Sequence, residues 1–268
     1  MAAVMIKPRF YNRLIVIVNM KLIETTNLTH RFADGTIGLD SVSLTIHEGE
    51  FVVVAGQNGS GKTTLMRHFN GLLMPASGEV KIDGIAVSDD LKRARQLVGM
   101  VFQDADSQIV GETVYEDVAF GPENLGLKGQ GLKRCVTDAM ASVGISEIAE
   151  QRPHQLSGGQ KRKLAIAGVL AMKPRVIIFD EPFSNLDYPG VKQVLQQILD
   201  LHQSGHTIIL ITHDLEKVIY HASRLVIMEK GKIVRDGIPE KVIGEVEQFG
   251  IRTPCAYRMG METESWLR

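Results

Sequence analysis

Five short apolar runs are spaced along the chain between longer stretches whose apolar positions recur with helical period. The runs lie at residues 51–55, 98–102, 176–180, 207–212 and 225–228. Unbroken apolar runs of this length are typical of strands that are buried on both faces of a parallel sheet. Because helical patterns such as 191–202 and 214–222 separate them, the chain is predicted to be an α/β protein with a mainly parallel core sheet.

Two other regions depart from this core pattern and predict subdomains. Residues 21–47 alternate like strands around a turn at 33–36, and short strand patterns follow at 80–82 and 85, which predicts an antiparallel β subdomain. Helices are predicted at 113–120, 132–143 and 157–172, with a break at Gly121-Pro122. The expected organisation is an extension at 1–19, a domain at 20–240 with a helical subdomain inserted at about 104–172, and a C-terminal helix and polar tail at 241–268.

The composition narrows the possible functions. The 268 residues are 44% hydrophobic and 23% charged, which is ordinary for a soluble globular protein. A formal net charge of −1 provides no general basic field, so no nucleic-acid partner is expected. Cys135 and Cys255 stand far apart without metal-ligand spacing. The apolar run at 14–18 is far shorter than the ~20 residues that a membrane-spanning helix needs.

The apolar run at 51–55 leads directly into a segment that predicts a phosphate-binding loop. The segment reads Gly56-Gln57-Asn58-Gly59-Ser60-Gly61-Lys62-Thr63-Thr64, and a helical pattern follows it. Strand, glycines and helix in this order bring backbone N–H groups and a helix N-terminus onto an anion. Lys62 is therefore predicted to contact the β- and γ-phosphates of a nucleotide, and the Thr63 hydroxyl to bind Mg²⁺.

Two further segments carry groups that suit nucleotide chemistry. Asp180 and Glu181 end a buried strand, where α/β sheets place their ligands. Asp180 is predicted to hold Mg²⁺, and Glu181 to orient and deprotonate the attacking water. Ser157 is a natural N-cap, and Gly158 and Gly159 in the first turn of its helix leave N–H groups open to an anion.

Taken in chain order, six motifs resemble those of ABC-transporter ATPase domains. They are Walker A (Gly56 to Thr64), the Q-loop (Gln103), the signature (Leu156 to Gln160), Walker B (Asp180-Glu181), the D-loop (Ser184 to Asp187) and the H-loop (His213). The resemblance covers about residues 20–240 and implies a P-loop NTPase fold of ABC type that uses ATP and Mg²⁺. In that family two domains pack head to tail, and each ATP lies between the Walker A loop of one and the signature helix of the other.

The same resemblance implies a role for each motif residue. Catalytic roles fall to Glu181, His213 and Gln103, and Mg²⁺ ligation falls to Thr63, Gln103 and Asp180. Nucleotide contacts fall to Phe32, Gly56, Gln57, Asn58, Gly59, Ser60, Gly61, Lys62, Thr63 and Thr64, and in trans to Ser157, Gly158, Gly159 and Gln160. Phe32 takes the adenine-stacking position, where the family more often has tyrosine. That departure keeps the ring face and removes only a hydroxyl.

Three segments, at 103–110, 114–127 and 165–172, are similar to a narrower group, the energy-coupling-factor (ECF) ATPases that drive import of vitamins, cobalt or nickel. This resemblance implies a second ABC ATPase subunit, either the same chain or a paralogue. It also implies a transmembrane coupling subunit and a membrane substrate-binding subunit, with this chain peripheral on the cytoplasmic face of the cell membrane. A soluble ABC ATPase of the cofactor-assembly type stays open as the alternative.

Charge is unevenly distributed after the Q-loop. Between Gln103 and Leu127 lie six acids and no Lys or Arg, the acids being Asp104, Asp106, Glu112, Glu116, Asp117 and Glu123. Ile109 and Val110 are expected to be exposed, so the segment predicts a groove for an amphipathic helix of a membrane partner. The acids would form ion pairs with cationic residues on that helix. A solvated acidic face is the alternative. The basic run at 161–163 is predicted to be a solvated face, with a phosphate-facing patch as the alternative.

Overall fold

The computed structural model describes residues 20–267, so the extension predicted at 1–19 lies outside the described residues. The strands are β1 Lys21–Arg31, β2 Ile37–His47, β3 Phe51–Ala55, β4 Ser77–Ile82, β5 Ile85–Ala86, β6 Val98–Val101, β7 Val176–Asp180, β8 Thr207–Thr212, β9 Arg224–Glu229 and β10 Lys232–Gly237. The α-helices are α1 Lys62–Phe69, α2 Leu91–Leu97, α3 Val114–Asn124, α4 Gly129–Ser142, α5 Gly158–Leu170, α6 Tyr188–Gln203, α7 Pro239–Val242 and α8 Cys255–Arg258. Short 3-10 helices lie at Ser146–Ile148, Pro153–Gln155, Ile219–His221 and Ile243–Phe249. Within this described part, no helix combines the length and apolarity needed to cross a bilayer.

The strands form two sheets. An antiparallel sheet has the order β2-β1-β4-β5, and Ile23 of β1 pairs with Ile46 on one side and Ile82 on the other. The second sheet has the order β10-β9-β3-β8-β7-β6, and only β10 runs antiparallel to its neighbour. The mainly parallel core sheet and the antiparallel β subdomain predicted from the sequence are both confirmed.

The middle of the core sheet is buried on both faces. Phe51 and Val53 of β3 pack into one hydrophobic cluster with side chains of α3, α4 and α5. Val52 and Val54 pack into a second cluster with α1 and the antiparallel sheet. All four side chains are fully buried, and each such burial contributes about 1.5–3 kcal/mol. Because β3 ends inside this core, it fixes the position of the glycine-rich loop that follows it.

The helical insertion consists of α3, α4 and α5, which pack on one another. The helix end predicted at Phe120 is wrong, because α3 continues to Asn124 with Pro122 inside it. A proline inside a helix lacks the N–H bond to the preceding turn and crowds the carbonyl there, but it does not remove the hydrogen bonds of the residues that follow it. The carbonyls of Gly121 and Pro122 still accept the N–H groups of Leu125 and Leu127, at 3.1 and 3.0 Å, so the last turn is kept.

The helix predicted at 214–222 is also wrong, since only a 3-10 turn at Ile219–His221 forms there. Immediately before it, side chains bond to the backbone. The Thr212 hydroxyl accepts the N–H of Asp214 at 2.9 Å, and the Asp214 carboxylate accepts the N–H of Glu216 at 3.1 Å. Local bonds of this kind compete with helix formation. The chain therefore turns directly after β8, which leaves His213 at the strand end.

The segment after β10 is better packed than the predicted helix and polar tail. It contains α7 and α8, and Val242, Ile243 and Val246 are buried in the same cluster as one face of the core sheet. Trp266 packs against Tyr188 at the start of α6, with ring centroids 5.6 Å apart. The segment thus covers part of the core.

Candidate active site

Glycines shape the loop between β3 and α1. Gly61 is the N-cap of α1 with φ of +99°, and a Cβ there would lie 2.7 Å from the carbonyl oxygen of Gly38. At Gly56 a Cβ would lie 2.3 Å from the carbonyl oxygen of Met228. No side chain of the described residues caps α1. Its first N–H groups are therefore available to an anion, which the positive end of the helix dipole also favours.

Lys62 begins α1 and directs its ammonium group back into this loop. Nζ donates to the carbonyl oxygens of Gly56 at 2.8 Å and Gln57 at 2.9 Å, and Lys62 is 6% exposed. Burial lowers the pKa of Lys62, while the charges of Glu181 and Asp180 oppose that shift. The loop thus holds a desolvated cation beside bare N–H groups, which suits phosphate oxygens.

β7 delivers Asp180 to the same place. The Thr63 hydroxyl donates to Oδ2 of Asp180 at 3.0 Å, although these residues are far apart in the chain. Burial raises the pKa of Asp180, the hydrogen bond from Thr63 lowers it, and the neighbouring charge of Glu181 raises it again. A hydroxyl and a buried carboxylate supply the hard oxygen donors that Mg²⁺ prefers, so these side chains fit the predicted metal.

Glu181 follows Asp180 in a left-handed backbone conformation, with φ of +47°. A residue with a side chain seldom adopts this conformation, and here it turns the carboxylate toward the end of β8. Oε1 accepts hydrogen bonds from the backbone N–H of His213 at 3.0 Å and from its ring Nδ1 at 2.7 Å. An ionised carboxylate can only accept, so Nδ1 of His213 carries the hydrogen.

Thr212 is a third contact of Glu181 that sequence reasoning missed. Its hydroxyl lies 3.3 Å from Oε2 of Glu181 and 3.2 Å from the carbonyl oxygen of Asp214, so its one hydrogen is shared between these acceptors, and the residue is 2% exposed. The available signal was a polar residue that ends an apolar run of four residues and directly precedes the H-loop histidine. With Thr212 and His213 together, β8 fixes both oxygens of the Glu181 carboxylate.

One cavity of about 410 Å³ brings most of the predicted residues together. Its lining includes Phe32, Asn58, Gly59, Ser60, Gly61, Lys62, Thr63, Thr64, Gln103, Asp180 and Glu181. Gly56 and Gln57 lie behind this lining as acceptors of Lys62, and His213 reaches it through Glu181. The predicted residues that follow β3, begin α1, and end or follow β7 and β8 therefore converge on one place.

Phe32 lies just beyond β1 and is 43% exposed. The ring of His30 meets it edge to face, with centroids 4.7 Å apart. His30 was not predicted, although strand alternation places residues 30 and 32 on one side of the chain. An exposed ring that is held from one side offers a flat apolar surface of the kind that a purine stacks on.

The signature segment does not line this cavity. Ser157 Oγ accepts the N–H of Gln160 at 3.3 Å, and Gln160 Oε1 accepts the N–H of Ser157 at 2.9 Å, so the two residues cap α5 reciprocally. Gly158 and Gly159 are exposed, and a Cβ at either position would meet nothing within 4 Å. Nothing in the described part of the chain therefore requires glycine at the start of this helix.

The comparisons with known proteins agree on one family. The family model described as ABC transporter matches residues 39–184, more than half of the chain. The chain belongs to the ABC transporter ATP-binding family. This ABC ATPase is 44% identical over 239 residues to the energy-coupling factor transporter ATP-binding protein EcfA of Methanosphaera stadtmanae, which covers 87% of the chain and 86% of that protein.

Solved structures confirm the ABC-type fold class. The structure of cbiO1 from Clostridium perfringens, described as part of the ABC transporter complex cbiONQ, matches with a TM-score of 0.75 and 35% identity. It covers 85% of this chain and 92% of that one. The dimeric structure of the bacterial ABC transporter cassette MJ0796 matches with a TM-score of 0.72 and 30% identity, covering 81% and 98%. This family membership makes the chain an ATPase.

The ABC ATPase differs from the sequence prediction at the basic run 161–163. Arg162 is not solvated but 8% exposed, and its guanidinium donates to the carbonyl oxygens of Pro182 and Gln103. Lys161 reaches Asp106 at 2.5 Å instead of facing open solvent. The reason is that α5 packs against the Q-loop and the segment after Walker B, which the helical pattern alone does not reveal.

The six acids after the Q-loop also do not form one free surface. Asp117 is 8% exposed, and Oδ1 accepts the N–H groups of Val110 at 2.7 Å and Gly111 at 2.9 Å. This carboxylate shapes the loop internally and is not available to a partner. Val110 is 61% exposed, as predicted, whereas Ile109 is half-buried and packs against the core.

Proposed function

We propose that this ABC ATPase is the ATP-hydrolysing subunit of an ECF-type importer that takes up a vitamin or a transition-metal ion such as cobalt or nickel. The proposal is supported by the likeness to EcfA of Methanosphaera stadtmanae over most of both chains, and by the likeness to cbiO1, which is described as part of a transporter complex. The single observation that carries the hydrolytic part is the Glu181 carboxylate, oriented by Thr212 and His213 beside the phosphate loop.

The geometry supports the following course of hydrolysis. Lys62 and the bare N–H groups of α1 bind the phosphates of ATP, and Phe32 offers its ring face to the adenine. Thr63, Asp180 and Gln103 would hold Mg²⁺, which neutralises charge on the β- and γ-phosphates.

Glu181 accepts the proton of a water molecule as the water oxygen bonds to the γ-phosphorus. The bond from the γ-phosphorus to the bridging oxygen of ADP breaks in the same displacement, and ADP and phosphate are released. His213 donates to Glu181 from Nδ1, and with a second hydrogen on Nε2 the other side of the ring can donate to the γ-phosphate.

The second part of the proposal is a head-to-tail pair in which each signature segment binds the ATP of the other chain. Exposed Gly158 and Gly159 support it, because helix N-terminal N–H groups without a ligand in their own chain are suited to an anion from outside. We propose a second copy of this chain as the partner, since the chain carries both an intact Walker A loop and an intact signature. Ser157 and Gln160 accept in the cap through their side-chain oxygens, so the Ser157 O–H and the Gln160 amide N–H groups are left to donate to that ATP.

The third part is a docking site for a transmembrane subunit at the cytoplasmic face of the membrane. A cavity of about 700 Å³ lies between the helical insertion and α2, and its lining includes Leu72, Met100, Val110, Phe120 and Met172. Val110 and Phe120 are 61% and 53% exposed, so the groove presents apolar surface to solvent. A groove of this kind suits the apolar face of an amphipathic helix. The lining also includes Gln108, five residues after the Q-loop residue Gln103, which supports a docking site next to the nucleotide.

Copurification tests the importer proposal. Tagged chain is recovered from membranes of cells that also express the transmembrane subunits, and the recovered membrane proteins are measured. Val110→Asp should lower their recovery by about tenfold, because it puts a charge into an apolar contact, while ATP binding by the isolated chain persists. Ile238→Asp, at a residue that is 49% exposed and does not line the groove, is the matched control. Equal recovery with both variants would contradict docking at the groove.

A further inference from the structure

Arg162 is a buried cation without a carboxylate partner among the described residues. It lies in the second turn of α5 and is 8% exposed. Taking a guanidinium out of water is costly unless its donors are satisfied, and an ion pair is the usual solution. Here backbone carbonyl groups take that role instead, so the side chain is fixed by loops rather than by an acid.

The two acceptors lie in the two loops that flank the γ-phosphate position. One is the carbonyl oxygen of Pro182, the residue directly after Glu181. The other is the carbonyl oxygen of Gln103, which accepts from Nη2 at 3.1 Å. Glu181 and Gln103 both line the nucleotide cavity. A single planar guanidinium therefore joins the residue directly after the proposed catalytic base to the backbone of the Q-loop.

The base of the Q-loop has one further anchor. The Gln108 side chain accepts the N–H of Phe102 at 3.1 Å and donates to the carbonyl oxygen of Met100 at 3.1 Å, which fixes the loop to β6. The other link between α5 and the Q-loop is the pair of Lys161 and Asp106, whose carboxylate side chain is 65% exposed. Exposed pairs contribute little. Among the described residues, Arg162 is therefore the buried polar connection between α5 and these loops, beside the apolar packing of Ala105 and Phe183 on the core.

α5 begins at the signature. Ser157 and Arg162 are separated by about 7.5 Å along the axis of one helix, and reciprocal caps hold its first turn. A helix this short moves as a unit. A shift of the Gln103 or Pro182 carbonyl by a fraction of an ångström would therefore be passed through Arg162 to the exposed Gly158.

We infer that Arg162 is a positioning residue that couples nucleotide occupancy at a chain's own phosphate loop to the orientation of its signature helix, which serves the ATP of the partner chain. The inference rests on the proposed head-to-tail function. Arg162 touches neither nucleotide, and it acts by holding two loops and one helix in register. Loss of the Arg162 side chain should uncouple the chain's own phosphate loop from its signature helix, while ATP still binds at both sites.

Hydrogen exchange tests the coupling inside one chain. Wild type, Arg162→Gln, Arg162→Lys and the control Lys163→Gln are compared with and without Mg²⁺ and ATP, at a dilution where sedimentation shows single chains. In wild type and in the control, ATP should slow exchange several-fold both at residues 56–64 and at residues 157–165. In Arg162→Gln the slowing at 56–64 should persist and the slowing at 157–165 should vanish. Arg162→Lys, which keeps a cation but not the planar fork, should fall between them.

Steady-state kinetics gives a second readout that a merely structural role would not move. The kcat of Arg162→Gln should fall by about tenfold while its KM for ATP stays within about threefold, because misplaced groups lose turnover before they lose binding. Arg162→Lys should recover part of that loss. An unchanged ATP response at 157–165 in Arg162→Gln, or no response there in wild type, would overturn the inference. Absence of slowing at 56–64 in wild type would instead contradict the proposed ATP site itself.

Discussion

Replacement of Glu181 by glutamine isolates the proton-accepting role of this side chain. Oε1 accepts two hydrogen bonds from His213, and Oε2 accepts one from the Thr212 hydroxyl. A glutamine keeps one carbonyl oxygen for His213, and its amide group can donate to the Thr212 hydroxyl, which can also accept. The folded chain should therefore change by no more than about 0.5 kcal/mol in its free energy of unfolding.

Loss of a general base costs about 10²–10⁴-fold in rate, which corresponds to about 2.7–5.4 kcal/mol of transition-state stabilisation. We expect Glu181→Gln to show that loss in kcat, measured by phosphate release at saturating ATP, with ATP affinity kept. Glu150→Gln, at an exposed glutamate, is the matched control. A kcat within about threefold of wild type would refute the assignment of Glu181 as the base. If the melting temperature of Glu181→Gln falls together with its kcat, the loss of turnover is caused by misfolding instead.

Three further predictions concern Lys62, three buried histidines and Trp266. Lys62→Ala should weaken ATP affinity by about 10- to 100-fold, measured with a fluorescent ATP analogue, because the phosphates lose a charge-assisted donor. Burial lowers the pKa values of His68, His206 and His221 below the ordinary 6.5. Below pH 6.5 these histidines therefore bind protons more readily in the unfolded chain than in the folded one. The free energy of unfolding should fall as the pH drops from 6.5 toward the lowered pKa values. In urea titrations, His206→Gln should show a smaller fall, and an equal fall would contradict this cause. Trp266→Ala should lower the free energy of unfolding by about 1–3 kcal/mol through lost packing on Tyr188, whereas an unchanged urea midpoint would show that the C-terminal segment is not anchored there.

The sequence predicted those elements whose cause is local. β7 and β8 have the predicted bounds, Val176–Asp180 and Thr207–Thr212, because a short, mainly apolar run between helical patterns is typical of a strand buried in a parallel sheet. The phosphate loop could be predicted because spacing along one segment sets its geometry. Asp180 and Glu181 could be placed for the same reason, since the end of a buried parallel strand has a known side of the sheet.

The features that were missed depend on contacts between distant segments. The burial of Arg162 is set by carbonyl groups of two loops that pack on α5, and a basic run on a helix is more often solvated. The Asp117 carboxylate accepts the backbone N–H of Val110, and a count of charges along the sequence does not reveal such a bond. The helix predicted at 214–222 failed because the Asp214 side chain captured a backbone N–H.

Complementation between two inactive variants tests the central claim that two chains share their ATP sites. Lys62→Ala removes the phosphate cation of one chain, and Ser157→Arg blocks the signature of the other. In a mixed pair, one site then combines an intact Walker A loop with an intact signature. An equimolar mixture should recover up to about a quarter of wild-type turnover, since half of randomly assorted pairs are mixed and each has one of two sites intact. Turnover of the mixture equal to the average of the two separate variants would contradict shared sites.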